Sequence, residues 1–185
     1  MNPSQSPRKA PLKNSSLPVR ILMVLGGLFL LMIIVAMFMR LLGSSGSLNK
    51  STMLPVAQDQ TEIMRLADSG VESSVGQTNK NFAITVKLAT SSQRADFLAY
   101  LKTNNFAPKD KDLGLRHNAS ADSQLESAKS SSTFDIAYKS VMQTTLANYQ
   151  KDLNAAYSSA DTAGKTVLKK DFDAAQLLLT QLGQI

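Results

Sequence analysis

An uninterrupted apolar run near the N-terminus constrains this chain more than any other feature. Residues 21–39 read ILMVLGGLFLLMIIVAMFM, nineteen positions without a charge, an amide or a hydroxyl. At a helical rise of about 1.5 Å per residue the run covers roughly 28 Å, close to the ~30 Å hydrocarbon thickness of a bilayer. Because lipid offers the peptide groups no hydrogen-bond partners, a segment this apolar has to be helical there. The sequence predicts a transmembrane helix over residues 21–42.

A cleaved signal peptide is the main alternative for this run. The apolar part of such a peptide usually has about 7–15 residues and ends at a small-residue cleavage site. Here the run is longer, and bulky side chains follow it at Met39-Arg40-Leu41-Leu42. The chain has no cysteine, which excludes a lipoprotein anchor. We therefore expect an uncleaved signal-anchor.

The flanking charges predict the orientation of this helix. Four basic residues and no acidic residue precede the run, whereas Arg40 and Lys50 are the basic residues that follow it closely. The positive-inside rule then places the N-terminus in the cytoplasm and the C-terminal domain outside the cell (inner or cytoplasmic) membrane. Arg40 can extend its side chain from the end of the span to the lipid headgroups. The four preceding residues are Arg8, Lys9, Lys13 and Arg20.

The charge of the whole chain repeats this topology signal. The net charge is +6, and residues 1–43 contribute five basic and no acidic side chains to it. The remainder holds fifteen basic and fourteen acidic residues and is nearly neutral. The sequence therefore indicates a lipid bilayer as partner and no nucleic acid. Without cysteine, the outer domain has to be stabilised by core packing.

The periodicity of apolar residues after the run predicts an all-α protein. Residues 1–20 read as a disordered basic tail and residues 43–53 as a flexible linker. Residues 54–185 show helical spacing and no convincing alternation, which predicts an antiparallel bundle of four or five helices. The first expected helix begins near Leu54-Pro55. The second runs over 71–104, with a kink or split at Thr90-Ser91-Ser92, and a loop over 107–120 follows it. A short helix over 121–129 comes next, and the last two helices begin near Phe134 and near Asp161-Thr162.

The apolar stripes of these helices predict the bundle core. Their members recur at intervals of three and four residues, as expected for helices that pack lengthwise. The predicted core residues are Ile63, Leu66, Phe82, Val86, Leu101, Phe134, Tyr138, Met142, Leu146, Tyr149, Leu153, Leu168, Phe172, Leu179 and Leu182.

One stretch resembles a known family. Phe134-Asp135-Ile136-Ala137-Tyr138, followed by an amphipathic helix and then by Leu168 to Leu182, resembles a bacterial family of extracytoplasmic four-helix domains of unknown function. These domains are ferritin-like and are often described as putative outer-membrane proteins. Members carry histidines inside the bundle, one of them twelve residues after the phenylalanine of the motif. Leu146 stands there in this chain, and the later helix likewise has Leu178 and Leu179 rather than histidine, so a role of those histidines does not transfer.

The residues themselves give no catalytic, cofactor or metal site. A di-iron site in a bundle needs Glu-x-x-His pairs, and none of the three glutamates lies three residues before a histidine. The single histidine, His117, falls in the polar loop, where we expect a solvated side chain. Asp171 and Asp173 project in different directions from a helix, which favours a solvated face over a paired-carboxylate site. We predict that the chain is not an enzyme and carries no cofactor.

These observations favour a membrane-anchored bundle that acts through contacts with a protein partner. The expected function is that of a non-catalytic scaffold or accessory subunit of a cell-envelope assembly. A ligand-binding or sensory module, in which a small molecule enters between helices, is the alternative. An enzyme ranks third because the apolar stripes offer few convergent polar groups.

Overall fold

The computed structural model describes residues 48–185, and all secondary structure in this part of the chain is helical. The basic tail, the apolar run and the five basic residues that predict the orientation lie outside the described residues. None of the helices between residues 48 and 185 combines the length and the apolar character needed to cross a bilayer. The helices are α1 (Lys50–Ser73), α2 (Gln77–Thr103), α3 (Asp110–Leu113), a 3-10 turn (Gly114–Arg116), α4 (Ala119–Ser130), α5 (Phe134–Ser159) and α6 (Thr162–Gln184).

Four long helices, α1, α2, α5 and α6, form an antiparallel bundle. Each long helix packs against two others, in the order α1, α2, α6, α5 around the bundle axis. Tight turns join α1 to α2 and α5 to α6, whereas α2 and α5 are joined by a long crossover that contains α3, the 3-10 turn and α4. The crossover runs along α1 and returns the chain to the end of the bundle where α1 stops. The predicted helical bundle is thus present, as four long helices and two short ones in residues 48–185.

The core lies along the bundle axis. Thirteen of the fifteen predicted core residues are buried, and the other two, Phe172 and Leu179, are only partly buried. On α6 the buried residues are Gly164, Leu168, Asp171, Ala175, Leu178 and Leu182. The inward-facing side of α6 therefore passes through Asp171 and Leu178, one residue before each of the two apolar residues that the sequence favoured.

The first two helices differ from the expected boundaries. Helix α1 begins at Lys50, within the predicted linker, because Asn49 caps it by accepting a hydrogen bond from the N–H of Ser51 at 3.2 Å. Burial of Met53 also favours the earlier start. Pro55 is the sixth residue of α1, so its missing N–H removes a single helical hydrogen bond.

The predicted 71–104 helix is divided, but not at the serine-rich segment. The break lies at residues 74–76, where the Asp135 carboxylate accepts hydrogen bonds from the N–H groups of Val75 and Gly76 at 3.1 and 2.7 Å. Helix α2 is continuous through Thr90, which is buried, and through Ser91 and Ser92, which are exposed. The predicted loop over 107–120 contains α3 and the 3-10 turn, which bury Leu113.

Candidate functional site

A set of convergent polar groups lines a cleft between α1, the crossover and α5, which we call the crossover cleft. Its volume is about 500 Å³ and it opens to solvent. Acidic side chains lie beside basic and amide side chains on its walls. The lining residues are Asp59, Glu62, Arg116, His117, Asn118, Ala119, Thr145, Asn148, Lys151 and Asp152.

Two carboxylates share one guanidinium in this cleft. Nη1 of Arg116 donates to Oδ1 of Asp59 at 2.8 Å and also to the carboxylate of Asp152. Asp59 is buried, and its second oxygen, Oδ2, has no hydrogen-bond partner among the described residues. Burial raises the pKa of Asp59 to about 7, since the stabilising effect of Arg116 is opposed by the neighbouring Asp152. Near neutral pH this group can take up or release a proton.

A second network connects α1 to the start of α4. Arg65 holds both carboxylate oxygens of Glu62, at 2.7 and 2.8 Å, and its Nη1 lies 2.7 Å from Asp122. Nε2 of His117 lies 2.6 Å from the other oxygen of Asp122. Burial acts against ionisation of Asp122, but the hydrogen bonds from Arg65 and His117 outweigh it and lower the pKa of this carboxyl. Glu62 also accepts a hydrogen bond from the N–H of Asn118 at 3.1 Å.

His117 belongs to this second network. Its side chain is half exposed, in the segment that the sequence predicted as a loop. The contact with Asp122 gives it a structural partner that periodicity does not reveal. His117 and Asp122 are five residues apart, at the junction of the 3-10 turn and α4, where they help to fix the crossover against α1.

A third polar group lies inside the bundle, and we call Gln60, Tyr149 and Asp171 the buried polar layer. Nε2 of Gln60 donates to the hydroxyl of Tyr149 at 2.9 Å and to Oδ2 of Asp171 at 3.0 Å. Oε1 of Gln60 and Oδ1 of Asp171 are buried and have no hydrogen-bond partner within residues 48–185. The prediction of a solvated Asp171 is therefore wrong: its residue is fully buried, because partners on α1 and α5 meet it. Asp173, by contrast, is exposed and pairs with Lys169.

The protonation state of Asp171 sets the number of hydrogen-bond donors in this layer. Burial raises the pKa of Asp171 to about 7, so the neutral acid is well populated near neutral pH. A neutral acid has one O–H donor, which is the group that Oε1 of Gln60 lacks. Burial, together with the neighbouring Asp171, also raises the pKa of Tyr149 well above its usual value of 10. The layer is a place where a proton can be held inside the bundle.

The motif that carries the family resemblance has a structural role in this fold. The rings of Phe134 and Tyr138 are stacked with centroids 5.9 Å apart, and Tyr138 lies directly over Gly70. A Cβ atom at Gly70 would be 2.3 Å from Cζ of Tyr138. Asp135 caps the start of α2, as described above. The motif thus joins the first turn of α5 to the turn between α1 and α2.

The positions that correspond to family histidines are apolar and face the core. Leu146 is fully buried, Leu178 is buried and Leu179 is partly buried. No group of three or more His, Cys, Asp or Glu side chains in residues 48–185 is arranged to bind a metal ion. The ferritin-like resemblance consequently provides no metal ligands at these positions.

In comparisons with protein-family models, curated proteins and solved structures, no significant match to this chain was found.

Proposed function

We propose that this protein is a single-pass membrane protein whose extracytoplasmic helical bundle serves as a non-catalytic scaffold or accessory subunit of a cell-envelope assembly. The apolar run over 21–39 and its basic N-terminal flank support the membrane anchor. The observation that carries the interaction role is the outer face of α2, an uncharged surface on a bundle that is otherwise rich in surface ion pairs.

The outer face of α2 extends over about five turns. Its large apolar members are Ile84, 40% exposed, and Leu88, 67% exposed, which lie one turn apart. The charged residues at its borders are turned to the neighbouring helices, where Lys87 pairs with Asp68 at 2.5 Å and Asp96 pairs with Lys170 at 2.6 Å. The exposed residues of this face are Asn81, Ile84, Thr85, Leu88, Ser91, Ser92, Ala95 and Ala99.

This composition suits contact with an apolar face of another protein. Small side chains on one half of the face permit close approach of a helix, and Ile84 and Leu88 supply apolar area on the other half. A partner with an uncharged helical surface would lose little solvation free energy from charged groups on binding. The flanking ion pairs stay within the bundle and need not be broken.

Site-specific photo-crosslinking in intact membranes tests this proposal. A photoreactive amino acid at Leu88 should yield a defined crosslinked protein, while the same group at Ala155, exposed on α5, should not. The two positions test one face against another in the same folded chain. Absence of crosslinks at Leu88, or equal crosslinking from both positions, would show that the outer face of α2 is not the contact surface.

Protease accessibility tests the orientation. Protease added to the outer face of the membrane should digest the bundle and leave the N-terminal tail intact. Protection of the bundle, with digestion of the tail, would reverse the orientation inferred from the flanking charges.

A ligand-binding module is the second candidate, and Asp59 favours it. Asp59 lines the crossover cleft together with Arg116 and Lys151, and its buried Oδ2 has no partner within residues 48–185. A small polar molecule with donor and acceptor groups would suit the mixed charges of this cleft. Screening by thermal unfolding tests the idea, because a ligand that binds the native state raises Tm. Asp59→Asn should abolish that rise, and Asp173→Asn should preserve it.

The ferritin-like resemblance remains a proposal about fold. The single long crossover between the second and third long helices supports it, since ferritin-like bundles have one such connection. The FDxAY stretch supports it as well, because it lies at the start of α5 directly after the crossover. An experimental structure of the bundle compared with a family member would test the relationship.

A further inference from the structure

The end of the bundle where α1 and α6 begin, and where α2 and α5 stop, is rich in lysine; we call it the basic end. Five exposed lysines lie on it or on the adjoining start of the crossover: Lys50, Lys102, Lys109, Lys111 and Lys165. The Nζ of Lys50 lies 5.3 Å from the centre of the Phe106 ring, which brings the loop before α3 next to the start of α1. These lysines therefore form one surface although they come from four parts of the chain.

The positive charge of this end is not neutralised by ion pairs. None of the five lysines forms a salt bridge within residues 48–185, whereas Lys87, Lys129, Lys169 and Lys170 each do so elsewhere. Three aspartates also lie at this end: Asp110, Asp112 and Asp161. Two of them are engaged in capping.

The capping contacts show how those two carboxylates are used. Asp112 accepts a hydrogen bond from the N–H of Lys109 at 3.1 Å, and Asp161 accepts one from the N–H of Gly164 at 2.7 Å. Five lysines against three aspartates leave this end with a charge of +2. The remaining aspartate, Asp110, lies in the first turn of α3.

Aromatic rings accompany the lysines of the basic end. Tyr157 is 41% exposed, and the Nζ of Lys165 lies 5.6 Å from the centre of its ring. Phe106 is partly buried beneath Lys50. Tyrosine rings and long lysine side chains are both favoured at membrane interfaces, because the ring lies at the level of the headgroups and the ammonium group extends to them.

We propose that the basic end binds the anionic headgroups of the bilayer surface. This inference rests on the proposed membrane anchor: ten residues, 40–49, separate Met39 from the start of α1 at Lys50. Ten extended residues reach at most about 36 Å, so the anchor would keep this end of the bundle close to the lipid surface. Each lysine near an anionic bilayer contributes about 1 kcal/mol of binding free energy, which changes the ratio of lipid-bound to unbound bundle about fivefold.

The opposite end of the bundle would then face away from the lipid. Four acidic residues lie there near the ends of α1, α4 and α5, and four lysines balance their charge. The acidic residues are Asp68, Glu72, Glu126 and Asp135. An anionic surface would thus orient the bundle with its basic end toward the lipid, and it would leave the outer face of α2 open to a partner.

Lipid-dependent quenching of a fluorescent label tests this arrangement in the full chain. Because the chain has no cysteine, a cysteine introduced at Ala107, in the loop of the basic end, gives a unique labelling site. The matched control label is at Val75, 89% exposed at the opposite end. Both proteins are reconstituted in nanodiscs that carry nitroxide-labelled headgroups, made from phosphatidylcholine alone or mixed with phosphatidylglycerol.

We expect strong quenching of the label at residue 107 in the phosphatidylglycerol nanodiscs, reduced by added salt, and little at residue 75. The double variant Lys109→Gln/Lys165→Gln should lower the ratio of lipid-bound to unbound bundle by up to about twenty-five-fold. The double variant Lys80→Gln/Lys139→Gln removes the same charge at the other end of the bundle and should leave this ratio unchanged. Equal quenching in both lipids, equal quenching at both positions, or no quenching of an inserted chain would overturn the proposal.

The anchor is checked separately by extraction with alkaline carbonate. If the chain is released, the proposed membrane anchor is wrong. Sedimentation of the released chain with phosphatidylglycerol vesicles then decides the lipid proposal, when the Lys109→Gln/Lys165→Gln variant is compared with the Lys80→Gln/Lys139→Gln variant, because residues 1–43 carry the same charge in both. Equal sedimentation of the two variants would refute it.

Discussion

Replacement of Asp171 by asparagine should stabilise the protein at alkaline pH and have little effect at acidic pH. Gln60 donates to Oδ2 of Asp171, while Oδ1 of Asp171 and Oε1 of Gln60 are both acceptors that lack a donor in the described part of the chain. Asparagine can supply that donor through its Nδ2 at every pH. The carboxyl can supply it only when protonated.

The size of the effect follows from the pKa. Burial raises the pKa of Asp171 from 3.8 to about 7, a change of about three units, and each unit corresponds to about 1.4 kcal/mol. Below pH 3.8 the carboxyl is protonated in both the folded and the unfolded chain, so its ionisation does not reduce the free energy of unfolding. Between pH 3.8 and about 7 the folded state holds more protons, so the free energy of unfolding falls as pH rises. Above pH 7 the ionised carboxylate reduces the free energy of unfolding by the full amount, up to about 4 kcal/mol.

Thermal unfolding followed by circular dichroism, over a pH series on the full chain in detergent, measures this difference. The Tm of Asp171→Asn minus that of the wild type should be near zero at pH 4 and should rise to about ten degrees at pH 8, at roughly 3 °C per kcal/mol. The difference isolates Asp171, since Asp59 titrates in both proteins. Asp173→Asn, on the exposed side of the same helix, is the control and should show no such rise. An Asp171→Asn variant that is destabilised equally at pH 4 and pH 8 would refute the reasoning.

Three other substitutions test the packing and the caps in the same assay. Gly70→Ala should lower the free energy of unfolding by about 1–3 kcal/mol, because its Cβ would overlap the Tyr138 ring. Gly183→Ala is the control and should not lower it, since there is open space around this residue. Equal losses in the two variants would contradict the close approach of Tyr138 to Gly70. Asp135→Ala should cost about 1 kcal/mol at neutral pH through loss of the α2 cap. Burial opposes ionisation of Asp135, but hydrogen bonds from Gly76 and its neighbours lower its pKa, so this contribution is present above pH 3.8 and is lost as pH falls through the lowered value. A cost that persists at low pH would argue against the cap.

The sequence predicted the helical class and most of the core because these depend on local periodicity. The starts of α5 at Phe134 and of α6 after Asp161 agree with the structure. Both follow from the local apolar spacing, and at α6 the capping residue Asp161 lies beside it in the chain, whereas Thr133 makes no side-chain capping hydrogen bond at α5. The break at residues 74–76 was missed because its cap, Asp135, comes from 60 residues away. The crossover cleft was missed for the same reason: Asp59 and Arg116 are 57 residues apart.

The position of Asp171 shows a further limit of apolar patterns. Leu168 and Leu182 belong to both the predicted and the observed stripe of α6, so the spacing alone permits either 171 or 172 as the next inward position after Leu168. Hydropathy favours Phe172. The structure has Asp171 there because Gln60 and Tyr149, on two other helices, provide polar partners that no local pattern can place.

The buried polar layer should fix how α1, α5 and α6 align. A shift of one helix by one turn would separate Asp171 from both partners and leave a carboxyl among apolar side chains, which is costly. The apolar residues alone tolerate such shifts more easily, as coiled coils with wholly apolar seams do. The variant with Gln60→Leu, Tyr149→Phe and Asp171→Leu should therefore unfold at a higher temperature at pH 8, but should give broadened or doubled amide signals in NMR spectra. Sharp, single signals together with a raised Tm would show that the layer reduces stability without specifying the alignment, as occurs when some buried polar groups are replaced.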